Sequence, residues 1–159
     1  MKRRYFVKTS VLGGTALGLG GLGLESCNQA LKKHLTILHT NDIHSCIDPF
    51  PQDGSRNAGL GGVVRRSGLI ESIRKAEEHV LLFDSGDIFQ GTPFFNEFLG
   101  EVEIKAMNLM KYDAVTIGNH DFDGGMANMK RQMDLGEFEV ITSNYDFSDT
   151  LFHENSKAY

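Results

Sequence analysis

Four short apolar runs rich in β-branched residues punctuate the chain, at 35–40, 80–84, 114–117 and 140–143, each bounded by Gly, Asn or Asp. Each predicts a buried parallel strand. Between the first two runs, Leu60, Val63, Val64, Ser67, Ile70 and Ile73 recur at steps of three and four, while Arg65, Arg66, Glu71, Arg74 and Lys75 take the other faces. That spacing predicts an amphipathic helix. Residues 101–111 repeat the pattern with Val102, Ala106, Leu109 and Met110, and 125–133 carries a fainter version before the fourth run. The order βαβαβαβ predicts an α/β fold, a parallel sheet covered by helices.

Ahead of the first strand the pattern changes. Lys2, Arg3, Arg4 and Lys8 give a basic start, residues 11–24 carry no charge, and Ser26-Cys27 follows after Glu25 alone. Residues 1–26 are therefore expected to be an export signal, and 27–34 a short linker. Two finer readings stand beside each other at both of its landmarks. The run Lys2-Arg3-Arg4-Tyr5-Phe6-Val7-Lys8 resembles a twin-arginine motif, with an ordinary secretory signal as the alternative. Leu24-Glu25-Ser26-Cys27 resembles a bacterial lipobox, which would make Cys27 a lipidated membrane tether, with plain cleavage as the alternative. Either way the chain is expected to meet export machinery and to work in the periplasm or at the cell envelope of a bacterium.

Composition narrows the partners. With 16 basic and 21 acidic side chains the formal net charge is −5, which argues against a nucleic-acid polymer as ligand. Two cysteines cannot build a disulfide framework, and no uncharged run is long enough to span a bilayer.

The chemistry gathers just after the strands. The first runs into Asn41-Asp42-Ile43-His44, the second into Ser85-Gly86-Asp87, and the third into Gly118-Asn119-His120-Asp121-Phe122-Asp123. In open α/β sheets the ligand crevice lies outside the carboxyl ends of the strands, so these segments are expected to converge. Asp42, Asp87 and Asp123 brought together would repel or take up protons unless a cation sat among them. A donor set of carboxylates, imidazole and amide without thiolate suits a hard or borderline divalent metal. Taken singly, each residue could instead cap a turn or helix, as Asp and Asn commonly do.

Ile37-Leu38-His39-Thr40-Asn41-Asp42-Ile43-His44, Asp84-Ser85-Gly86-Asp87 with Gln90-Gly91-Thr92, and Gly118-Asn119-His120-Asp121-Phe122-Asp123 together resemble the calcineurin-like metallophosphoesterases, in particular their 5'-nucleotidase branch. The resemblance implies the N-terminal half of a metallophosphoesterase α/β sandwich, with a metallophosphatase domain over 35–159. It implies two divalent metal ions (manganese, zinc or iron), with Asp42 and His44 on the first, Asp87 bridging and Asn119 on the second. His120 would stabilise phosphoryl oxygens or protonate the leaving alcohol, with Asp123 orienting it. The implied substrate is a small phosphoester such as a nucleotide.

The family's pattern continues to a His after a later strand and then a Gly-His-x-His segment, whereas this chain has no Gly-His pair. The domain is thus expected to be truncated before its later ligands, with a weak or mononuclear site. Two functions stay open: an exported phosphoester hydrolase, or a non-catalytic exported or surface lipoprotein built on the same scaffold. Among other residues, His39 is expected in the core, His79 in solvent, and Asp84 supporting its loop. Phe94, Phe95 and Phe98 read as core aromatics rather than a base-stacking platform. Cys46 reads as an inert thiol and Asn144 as a candidate substrate contact.

Overall fold

The computed structural model describes residues 33–153. The expected signal 1–26, Cys27 and most of the 27–34 linker lie outside the described residues. Strands β1 (Thr36–Thr40), β2 (Val80–Asp84), β3 (Ala114–Val115) and β4 (Glu139–Val140) form one parallel sheet in the order β1-β2-β3-β4. Helices α1 (Val63–Ala76), α2 (Pro93–Phe98), α3 (Glu101–Met110) and α4 (Met126–Met133) fill the connections, with a 3-10 turn at His120–Phe122. Among the described residues no helix is long and apolar enough to cross a membrane.

The strand order fixes where the helices lie. Right-handed crossovers that always step in the same direction put every connecting helix on the same face of the sheet. The core obeys this: Ile70 of α1, Ile104 and Met107 of α3, and Met129 and Met133 of α4 cluster with Leu38, Leu82, Val115 and Val140 from one face. In register these strand residues are neighbours, Leu38 opposite Leu82 and Val115 opposite Val140. Arg74 of α1 donates to the carbonyls of Met110 and Lys111, capping the last turn of α3 and setting the level of the two helices.

The expectation of four buried strands covered by helices is corrected by the other face. Leu35 is 53% exposed and Ile37 57%, and His39, on the same side of β1, is exposed rather than in the core. A strand's side chains alternate between faces, and the helices described here cover only one. The third and fourth strands are also shorter than the apolar runs that predict them. Helix α2, with Pro93 at its start and the left-handed Leu99 at its end, lies where no period was legible. In it Phe95 is buried, whereas Phe98 is exposed and stacks on Phe94 rather than joining the core.

Candidate metal centre

The loops after β1 and β2 are zipped together by backbone hydrogen bonds that continue the sheet beyond its strands. Ser85 donates to the Thr40 carbonyl at 2.9 Å, Asp42 to Gly86 at 3.0 Å, His44 to Asp87 at 3.1 Å and Ser45 to Ile88 at 3.0 Å. The expected convergence therefore has a mechanical cause. Asp42 and His44 are held beside Asp87, and one donor atom from each of the three lies within 4.8 Å of the others. His44 Nε2 stands 3.9 Å from Asp42 Oδ1 and 3.9 Å from Asp87 Oδ2. That is too far for hydrogen bonds but close enough to share a cation.

The backbone at these three residues is strained. Asp42, His44 and Asp87 all have positive φ, at 50°, 43° and 55°. The left-handed region costs a non-glycine residue roughly 1–2 kcal/mol. Such cost concentrated at three converging donors is the mark of a site whose geometry is imposed by its surroundings. The donors fit a divalent metal: two carboxylates and an imidazole, without thiolate, suit a hard or borderline ion.

Two glycines let the third motif approach. A Cβ on Gly86 would stand 2.4 Å from the Gly118 nitrogen, and one on Gly118 would stand 2.2 Å from Asp87 Oδ1. No side chain fits at either position. With the loops in contact, the His120 N–H donates to Asp87 Oδ1 at 2.9 Å, and the His44 and His120 rings meet edge to face at 5.2 Å. His120 Nδ1 lies 2.9 Å from Asp123 Oδ2, in a partly exposed pair. The Asp123 hydrogen bond raises the His120 pKa above its ordinary value, and the same bond lowers that of Asp123. Asn119 is exposed on the rim, where the 3-10 turn begins, with its carbonyl accepting from Phe122.

Two carboxylates beneath the crevice do something else. Asp84 is buried, accepting from Thr40 Oγ1 at 2.5 Å and from the Gly86 N–H at 2.9 Å, while Thr40 Oγ1 lies 2.8 Å from the Tyr112 hydroxyl. Burial pushes its pKa up to about 6, against the pull of Thr40 and Gly86. This agrees with the expected loop-supporting role. Asp121, given no separate role by sequence reasoning, is fully buried and accepts four backbone N–H bonds, from Asp87, Ile88, Phe89 and Gly118. Burial raises its pKa, and the four donors oppose that shift. The only sequence signal was its place between His120 and Asp123 in the third motif.

The comparisons agree with this geometry. A family model described as calcineurin-like phosphoesterase matches residues 35–155. A snake venom 5'-nucleotidase of Crotalus adamanteus is 46% identical over 114 residues, which is 69% of this chain and 19% of that protein. The 5'-nucleotidase of Bos taurus is 42% identical over 150 residues, 91% of this chain and 26% of that protein. Among solved structures, a 5'-nucleotidase precursor from Thermus thermophilus superposes with a TM-score of 0.66 at 34% identity, covering 72% of this chain and 23% of that one. The chain thus spans about a fifth to a quarter of the length of the curated relatives it matches. On the match over 35–155 and the three motifs at one crevice, the chain belongs to the calcineurin-like phosphoesterase family.

Proposed function

We propose that the protein is a metal-dependent phosphoester hydrolase of the 5'-nucleotidase type. The observation that carries this reading is the meeting at one crevice of the strained Asp42, His44 and Asp87 with the His120–Asp123 pair. Divalent ions bound there would polarise a phosphoryl group and acidify a water. Asp42, His44 and Asp87 would hold the first ion. Asp87 has two carboxylate oxygens and would be shared with a second, to which Asn119 would add a neutral oxygen. Asp123 occupies His120 Nδ1 and supports the imidazolium, so Nε2 is the atom that gives a proton to the leaving oxygen. The substrate class on this reading is a small phosphoester, nucleoside 5'-phosphates first.

The test is hydrolysis of an aryl phosphodiester and of 5'-AMP by the manganese-loaded protein. His120→Asn should keep its metal and lose about 10²- to 10⁴-fold in turnover, most for poor leaving groups. Undiminished turnover would remove His120 as the proton donor. One observation favours a second reading, a non-catalytic binding module on the same scaffold: among the described residues the gathering of candidate acidic and histidine donors is a single group, Asp42, His44 and Asp87, which fits one ion. Tight binding of one ion without hydrolysis would support that reading.

We further read residues 1–26 as an export signal of twin-arginine type and Cys27 as a lipidated first residue, with action in the periplasm or at the envelope of a bacterium. Support comes from the paired Arg3-Arg4, the uncharged stretch and the Ser26-Cys27 step. The mass of the exported chain tests it. An unmodified mature terminus would remove the lipid anchor.

A further inference from the structure

Asp121 is fully buried, yet it lies at the centre of the site's construction. Its Oδ1 accepts from Ile88 at 2.8 Å and from Phe89 at 3.1 Å, and its Oδ2 accepts from Asp87 at 3.0 Å and from Gly118 at 2.8 Å. Three successive N–H groups converging on one carboxylate form a backbone anion cradle, of the kind proteins use elsewhere to bind phosphate. Here the cradle is filled by the chain's own carboxylate. The hydrogen bonding is also reciprocal. Asp121 gathers the N–H groups of the loop carrying Asp87, while the His120 N–H, one residue before Asp121, donates back to Asp87 Oδ1 at 2.9 Å.

We propose that Asp121 is the positioning residue that sets Asp87 relative to His120, clamping the second motif against the third so that the shared ligand and the proton donor keep a fixed separation. The chemistry of the group matters as much as its place. Four donors use both oxygens of a carboxylate, and an amide would turn an NH2 toward two of them. The left-handed conformation of Asp87, at φ 55°, has a stated cause on this view, since three of the four bonds come from Asp87 and the two residues after it. Gly118, too close to Asp87 for any Cβ, supplies the fourth. The proposal rests on the reading that Asp42, His44 and Asp87 bind a divalent metal, and its test separates the two.

The experiment compares wild type, Asp121→Asn and Met133→Ala in the full chain, measuring Mn²⁺ dissociation constants by electron paramagnetic resonance and backbone amide exchange by NMR in metal-free protein. Met133 lies in the core at the end of α4, and its variant reports what general destabilisation does. Asp121→Asn should weaken Mn²⁺ binding at least about tenfold, as loss of a ligand-orienting group typically does. It should also strip exchange protection from the amides of Asp87, Ile88, Phe89, Gly118 and His120. Met133→Ala should lower the melting temperature but leave the folded protein's affinity and those five amides unchanged. If Asp121→Asn does not fold, Asp121→Glu, which keeps the charge but reaches one methylene too far, takes its place with the same expectations. A folded variant with wild-type affinity and protected amides overturns the proposal. If wild type binds no Mn²⁺, the metal reading fails, and the five amides alone decide the clamp: lost protection supports it and retained protection overturns it.

Discussion

Five aspartates stand at the carboxyl ends of the strands, and they divide into two groups that composition cannot tell apart. Asp84 and Asp121 are buried and accept protein hydrogen bonds on both oxygens. Asp42, Asp87 and Asp123 reach the crevice, where Asp42 and Asp87 converge with His44 and Asp123 pairs with His120. Desolvating a carboxylate costs several kcal/mol, which only a nearly complete set of donors offsets, at about 1.5–3 kcal/mol per bond to a charged acceptor. Asp121 has four such bonds and Asp84 two, which oppose that cost without cancelling it, since burial still raises both pKa values, and the pair builds the loops. The crevice group keeps lone pairs free for a cation or a proton donor, and two of its members sit on strained backbone. Burial and hydrogen bonding, more than residue type, separate the carboxylates that build the loops from those that gather at the candidate site.

The sharpest way to break this division is to remove one member from each side. Asp87→Ala should leave a folded protein with Mn²⁺ affinity reduced by more than about 100-fold, since it deletes a candidate ligand that the third motif also contacts. A calorimetric titration that still shows wild-type affinity would dissolve the distinction.

The buried side has a different signature, in pH rather than metal. Asp84 ionises near pH 6 when folded and near 3.8 when unfolded. Between those values the folded state holds a proton that the unfolded state has released, so stability is lost as pH rises from about 4 to 6. The shift corresponds to about 3 kcal/mol, from about 1.4 kcal/mol per pH unit. Asp84→Asn should remove that loss. Its amide still accepts from Gly86, and Thr40 can turn to accept from the new NH2, so Mn²⁺ affinity should stay close to wild type. Denaturant melts of both proteins at pH 4 and pH 7 check this, and parallel pH slopes would contradict it.

The smallest effect belongs to the pair at the rim. Asp123 raises the His120 pKa, so the protonated imidazole persists to higher pH than an isolated histidine. In Asp123→Asn the alkaline fall of the rate should move to lower pH, with about a tenfold loss of turnover at neutral pH from positioning alone. A rate profile with an unmoved alkaline limb would separate the two residues functionally.

How much of this was legible in the sequence varies with the range of the interaction. β1 and β2 lie within one residue of their apolar runs, and the gathering of Asp42, His44, Asp87 and His120 follows from where polar clusters fall relative to strands. The exposure of Ile37 and His39 was not legible, because an apolar run does not say which face the crossovers will cover. The role of Asp121 was hidden for a similar reason. Three of its four partners are backbone N–H groups more than thirty positions earlier, and every residue but proline carries one. Asp84 was partly legible: it reads as a loop support, although its nearness to Asp87 also suits a metal ligand. Its bond to Thr40, and the bond linking Thr40 to Tyr112, arise only through the fold.

The central claim is that Asp42, His44 and Asp87 form a working metal site, and equilibrium titration with Mn²⁺ tests it most directly. Wild type should bind one ion tightly per chain, and His44→Ala, which keeps both carboxylates, should abolish that saturable binding while the fold persists. Absence of saturable binding in wild type, or the same single ion bound equally well by His44→Ala, would contradict the account.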